Sequence, residues 1–269
     1  MSVDLAALLV DLDAETDDLI GIVTADGDLD QVLSRPTPAL PWTVGDTIGH
    51  LWFFDREAHR AATDPEEFTA GLTALVDDVD GYMQRAGAAA GALGVRVLPS
   101  WRQERSALVA ALAGVPADRK VPWYGPPMSA ASAATARLME TWAHGQDVAD
   151  ALGVVRVPTD RLRHICHLGF RTRDFSYAVR GRRPPDGPVR LELTSPDGEP
   201  WTFGPDEAAD VIAGSGLDFA LLVTQRRLVE DLDLAITGPL AAEWAAIAQV
   251  FAGAPSITDP SRAGLAATR

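Results

Sequence analysis

Glu140 and His144 stand four residues apart in SAASAATARLMETWAHGQDVADALG, residues 129–153. On a helix that spacing puts both side chains on one face, one turn apart. Asp147 extends the stripe by about another turn. A carboxylate and an imidazole so placed can grip one metal ion, although E-x-x-x-H alone is also a common pair on helix surfaces. The pattern gains weight from His50, an imidazole on a different predicted helix. Two imidazoles and one carboxylate from two helices make a three-ligand set. For Zn²⁺ such a set leaves a fourth position for water or substrate, as catalytic sites do and closed structural sites do not. A metal held in this way lowers the pKa of a bound water or thiol, or polarises a carbonyl. Asp147 is placed to orient His144 through a hydrogen bond. Glu57 shares the face of His50 and is the reserve ligand. His59, nine residues after His50, falls on the opposite side of the helix and is expected in solvent.

The elements that must carry these residues follow from periodicity and punctuation. Residues 129–153 read as a long helix, with Ser129 as N-cap and Leu152-Gly153 as its stop. His50 belongs to a helix that Thr43 opens, with Asp46 three residues on completing a capping box. Val44, Ile48, Leu51, Ala58 and Ala62 form its buried stripe. An amphipathic helix with Leu5, Leu8, Leu12, Leu19 and Val23 precedes it and ends at Asp26-Gly27-Asp28. Pro36, Pro38 and Pro41 make the connection a loop. Pro65 opens a third helix, with Phe68, Leu72, Leu75, Val76, Val79, Tyr82 and Met83 as its apolar stripe. Trp101, Arg105, Leu108 and Leu112 mark a fourth, closed by Gly114. The loop VPWYGPPMS feeds the central helix, and its Trp123 and Tyr124 are candidates to wall a pocket. Up to about Gly153 there are five helical segments and no convincing strand, which predicts a four-helix bundle with an accessory piece.

After Pro158 the pattern changes. Residues 159–179 read as a linking helix with His164 and His167 flanking Cys166. That H-x-x-H makes a poor second metal site, because Cys166 cannot share its face well and is the chain's one cysteine. Val189, Leu191 and Leu193 alternate with polar residues as in a half-buried strand, and Trp201 and Phe203 mark its return. A third strand at 210–213, a helix at 217–228, a short strand at 232–237 and a helix at 239–251 complete a small α+β domain. The expected organisation is a bundle over 1–157, a linking helix and α+β domain over 158–252, and a disordered tail from 253.

Composition narrows the function classes. The 269 residues carry a formal charge of −15, which repels phosphate backbones and argues against a nucleic-acid partner. A single cysteine excludes an intrachain disulfide and fits a reducing cytoplasm. The first residues show neither a signal peptide nor a transmembrane span, so no membrane association is expected. P-loop, G-x-G-x-x-G and G-x-S-x-G motifs are absent.

TVGDTIGHLWFFD, followed about ninety residues later by ARLMETWAHGQDVADALG, resembles the mycothiol-dependent maleylpyruvate isomerase family, within the wider DinB-like metal-binding bundles. The order of parts is similar too, since an N-terminal bundle precedes a small domain like sterol carrier proteins. The resemblance implies that His50, Glu140 and His144 are metal ligands. It implies an arginine after an apolar helix of the second domain that serves the reaction. LLVTQRR matches that place, so Arg226 is the catalytic candidate, with Arg227 the alternate and a cofactor-binding candidate beside Trp123 and Tyr124. The loop VPWYGPPMS resembles a branch known mainly for metal binding. The function so implied is a Zn²⁺ enzyme, monomeric or homodimeric, that adds mycothiol to an unsaturated small molecule as isomerase or S-transferase. The alternatives are a non-catalytic, metal-stabilised module binding an acyl ligand and a thiol-independent metallohydrolase.

Overall fold

Short polar side chains at the helix starts set the frame of the first unit. The computed structural model describes residues 4–25, 27–77 (73–77 as backbone), 87, 89–116 and 118–253, which fall into two compact units dividing between Val154 and Val155. Asp4 caps α1 (Leu5–Thr24), and Asp28 caps a short α2 (Leu29–Leu33) that takes up part of the expected loop. The capping box of Thr43 and Asp46 is complete at the head of α3 (Val44–Thr63): Asp46 N–H donates to Thr43 Oγ1 at 3.1 Å, and Thr43 N–H donates to Asp46 Oδ2 at 2.9 Å. After α4 (Pro65–Asp77), a 3₁₀ turn at Gly94–Arg96 leads into α5 (Val97–Ala113). Ser129 caps α6 (Ala130–Leu152), and Gly153 ends it in the left-handed conformation, φ +68°, that glycine adopts without a Cβ clash. Of the stripe expected on the third helix, Val79, Tyr82, Met83 and the side chains of Leu75 and Val76 lie outside the described residues, as does the tail beyond Gly253.

Helices α1, α3, α5 and α6 form the bundle, with α3 lying along α5 and α1 along α6. Leu8, Leu12, Leu19, Ile48, Leu51, Trp101, Leu108 and Leu138 are fully buried between them. Gly49 is required by close packing, because a Cβ there would stand 2.4 Å from that of Ala90.

This core also contains charge. Asp55 lies on the apolar stripe of α3, one turn after Leu51, and is fully buried. Its Oδ2 accepts from Trp101 Nε1 and Arg105 Nε, each at 2.8 Å, and its Oδ1 accepts from Arg137 Nε at 2.9 Å. Arg105 completes its fork on Thr16 Oγ1 at 2.8 Å and Thr141 Oγ1 at 2.9 Å. One carboxylate thus ties α3 to α5 and α6, and Arg105 carries the tie on to α1. Buried ions are tolerated only when partnered in this way, since each lost its hydration on folding.

The second unit is α+β. The expected linking helix breaks at Thr172 into α7 (Leu162–Arg171) and α8 (Arg173–Ala178), where the Thr172 hydroxyl bonds back to Leu168 O at 2.8 Å. Strands β1 (Val189–Thr194), β2 (Pro200–Phe203), β3 (Asp210–Ser215) and β4 (Leu234–Thr237) form one sheet in the order β2-β1-β3-β4. β1 and β3 run parallel, and the outer pairs are antiparallel. Between β3 and β4, α9 (Gly216–Val223) stops short of the expected 228, because Gln225 turns to φ +57°. The last helix, α10 (Pro239–Ala245), is also shorter than expected, and the Asp210 carboxylate accepts from its Leu240 and Ala241 amides. Cys166 is fully buried on α7, where its thiol donates to Gly216 O at 3.3 Å and burial pushes its pKa far up. No helix among the described residues is long and apolar enough to cross a membrane.

Two outcomes follow from this packing. Asp55→Ala strands two buried guanidinium groups and should cost about 3–5 kcal/mol in urea unfolding; a loss below ~1 kcal/mol would show the network to be dispensable. Cys166 should resist alkylating reagents in the native protein and react once guanidinium unfolds it, as read by intact mass.

Candidate metal centre

His50 is two turns into α3, and Glu140 and His144 face it from the middle of α6. Glu140 Oε2 is 3.4 Å from His144 Nε2 and 3.8 Å from His50 Nε2. One ligand atom from each residue lies within 4.8 Å of both others. A tetrahedral ion with bonds of about 2.0–2.2 Å holds neighbouring ligand atoms about 3.3–3.5 Å apart. The Glu140–His144 pair already has that separation, and the Glu140–His50 pair is within about half an ångström of it. The side chains of His50, Glu140 and His144 keep 18 %, 23 % and 11 % of their surface exposed, so the cluster opens to one side. The donor set and its spacing fit a divalent metal with an accessible coordination position.

The surroundings set the protonation and aim of the ligands. Asp147, fully buried one turn on, has Oδ2 3.1 Å from His144 Nδ1. That contact fits a proton on Nδ1 and turns Nε2 toward the cluster. Burial lowers the His50 pKa to about 4, against the raising effect of its contact with Glu140, so the imidazole is neutral at pH 7. Burial alone would raise the Glu140 carboxyl. Contacts from His144 and His50 and the charges of His144 and Arg137 outweigh it, holding Glu140 well below its ordinary range. A neutral His50 and an ionised Glu140 are the forms that bind metal. Arg137, one turn before Glu140, is the same guanidinium that Asp55 holds, so the structural network and the cluster are electrostatically joined.

Aromatic rings wall the cluster. Trp42 lies 4.8 Å from the His50 ring and 5.6 Å from that of His144, and Phe54 lies 4.7 Å from His50. Trp123 and Tyr124 reach the site through Phe54, at 6.3 and 5.9 Å between ring centres, and both pack on Phe68. Glu57 is not in the cluster: its Oε2 accepts from Tyr124 Oη at 2.9 Å. His59 is not free in solvent. It pairs with Glu104 at 2.7 Å, because the far side of α3 packs on α5. In the second unit, the described ring contact of His167 is with Phe203 at 5.9 Å. Arg226 and Arg227 lie in the turn after α9, both buried, and donate to Thr224 O and Arg226 O respectively.

Sequence reasoning missed Trp42, Asp55 and Arg137. A signal existed for Asp55, since an acid at the fourth position after Leu51 on an apolar stripe requires a buried cation, and Arg105 stands on the apolar stripe of the fourth helix. Trp42 gave none, because its approach to both imidazoles depends on how the loop before α3 folds over α6.

A helical bundle with a two-histidine, one-glutamate cluster between two of its helices, followed by a small α+β unit, is the class this fold and site define. Residues 11–149 match the mycothiol maleylpyruvate isomerase N-terminal domain family, and the chain belongs to that family. Two uncharacterised proteins of Mycobacterium tuberculosis, from strains CDC 1551 and H37Rv, are each 47 % identical over 256 residues, covering 94 % of this chain and 98 % of their own. Among solved structures, the mycothiol-dependent maleylpyruvate isomerase has a similar fold, with a TM-score of 0.53 at 16 % identity over 82 % of this chain and 88 % of that one. A histidine-to-alanine mutant of it aligns with a TM-score of 0.54.

Asp147→Asn tests how the cluster is aimed. The change removes the charge behind His144 and should weaken metal binding about 10–100-fold in competition with a chromophoric chelator, with unchanged far-ultraviolet circular dichroism. Equal affinity in the variant would show that Asp147 does not orient the ligand.

Proposed function

We propose that the protein is a divalent-metal enzyme, with zinc the expected ion, that takes mycothiol as cofactor or co-substrate and adds its sulfur to an unsaturated electrophile. The observation that carries this reading is the convergence of His50, Glu140 and His144 with a side open to solvent, in a chain of the mycothiol maleylpyruvate isomerase N-terminal domain family. A bound metal supplies Lewis acidity that makes a coordinated thiol a thiolate at neutral pH. The protein does not supply that sulfur itself, since Cys166 is its one cysteine and is buried with a strongly raised pKa.

The chain's own residues have defined tasks in this scheme. Glu140 and the two imidazoles hold the ion, and Asp147 holds the aim of His144. Trp42 and Phe54 exclude water from one flank, which strengthens the local electrostatics. Attack at the β-carbon of an α,β-unsaturated acid forms a carbon–sulfur bond and shifts the π electrons toward the carbonyl. Rotation about the former double bond and expulsion of the thiolate give the isomer, and protonation instead leaves the thioether. Arg226, or Arg227 beside it, is assigned the substrate carboxylate from the family resemblance, a role that suits a forked guanidinium.

The purified protein should carry about one divalent metal per chain by elemental analysis, and His50→Ala should lose most of it. A chelator should remove the metal, and with it thiol capture, without unfolding the bundle, because the core packs independently of the cluster. Unfolding on chelation would instead indicate a structural ion. Mass spectrometry with mycothiol and a panel of α,β-unsaturated acids reads the reaction. Full metal occupancy in His50→Ala would overturn the ligand assignment.

A further inference from the structure

The two imidazoles of the metal centre are held in different ways. His144 has a polar partner, since Asp147 Oδ2 stands 3.1 Å from its Nδ1. His50 has no counterpart to Asp147. Among the described residues no hydrogen bond reaches its Nδ1, and Glu140 faces its Nε2 from 3.8 Å. An imidazole without such a bond swings between χ1 and χ2 states unless packing holds it. The packing here is aromatic. Phe54, one turn on along α3, lies 4.7 Å from the His50 ring with its plane tilted by 56°. Trp42 lies 4.8 Å away at 42°, and His144 closes the third side at 4.8 Å and 66°. Tilted or offset pairs with centres about 4.5–7 Å apart are the arrangement aromatic rings prefer. Trp42 also stands 5.6 Å from the His144 ring, so one indole bears on both imidazoles.

That indole is itself held. Its backbone belongs to the loop before α3, which an antiparallel bridge between Pro36 and Thr43 closes. The buried Thr37 donates to Trp42 O from its N–H at 2.8 Å and from its hydroxyl at 3.0 Å, and Trp42 N–H donates to Ala39 O at 3.1 Å. Pro36, Pro38 and Pro41 restrict the loop further. An aliphatic side chain could exclude water from this flank. A broad, rigid ring on a fixed backbone can in addition set the plane of a neighbouring ring. We propose that Trp42 is the positioning residue of His50, pressing the imidazole toward Phe54 and fixing its angle to His144 before any ion arrives. The loop before α3 is then a third element of the metal centre, beside α3 and α6. The proposal rests on the ligand assignment above and adds what aims the ligand that lacks a polar partner. Aiming it in advance lowers the freedom lost on binding, which raises affinity.

The test uses the full chain at a temperature where every variant is folded by circular dichroism. In competition with a chromophoric chelator, Trp42→Ala should bind Zn²⁺ about tenfold or more weakly, and Trp42→Phe, which keeps a ring in place, should stay within about threefold of the unaltered protein. Thr37→Val, which keeps the indole and removes one anchor of its loop, should fall between them. Side-chain ¹⁵N–¹H spectra of the metal-free chain read the aim directly. Trp42→Ala should broaden or multiply the His50 ring signals and leave those of His59, on the far side of α3, unchanged. Equal affinity in Trp42→Ala, or a loss that Trp42→Phe shares in full, would overturn the proposal. So would broadening of His50 and His59 alike, which would mark a general loosening of the bundle. If the unaltered protein binds no metal, the ligand assignment fails, and the metal-free spectra decide alone. Selective broadening of His50 in Trp42→Ala then supports the positioning role, and an unchanged His50 overturns it.

Discussion

The Asp55 carboxylate is the constraint on which the bundle and the cluster of His50, Glu140 and His144 both depend. It is buried on α3 five residues after His50, where Trp101, Arg105 and Arg137 donate to it. Arg137 is on α6, one turn before Glu140. The ion pair therefore fixes the register of α6 against α3, and that register decides whether His50 meets Glu140 and His144. An apolar core alone would tolerate a slide of α6 more readily, because dispersion contacts are non-directional and hydrogen bonds to a carboxylate are not.

The same network shapes the chemistry of the site. Arg137, which Asp55 holds, also bears on Glu140 and His50. Its charge adds a lesser share to the histidine contacts that lower Glu140 and to the burial that lowers His50. In these forms His50 and Glu140 would release no proton at neutral pH on binding a metal. Packing shields Cys166 from such a metal, so any sulfur it activated would come from outside the chain.

Much of this was legible in local patterns. The capping box at Thr43 and Asp46, the Ser129 cap and the Gly153 stop depend on residues within a few positions of one another, and the helices begin and end where those signals stand. The i, i+4 spacing of Glu140 and His144 and the next-turn position of Asp147 are also local, and the structure keeps all three on one stripe. Local signals were weaker where a tertiary contact overrode them. The linking helix breaks at Thr172, α9 ends early at the left-handed Gln225, and His59 finds Glu104 on a neighbouring helix.

The sequence by itself determined the helices of the bundle, their caps, the alternation of the strands and the shared face of Glu140 and His144, because each depends on periodicity along one segment. Tertiary structure decided what no single segment encodes. It set His50 against α6, laid Trp42 over both imidazoles, diverted Glu57 to Tyr124 and buried Asp55 among its donors. The physical reason is that these contacts join residues dozens of positions apart, and their geometry is fixed only when several helices pack at once around charges that must all be satisfied together.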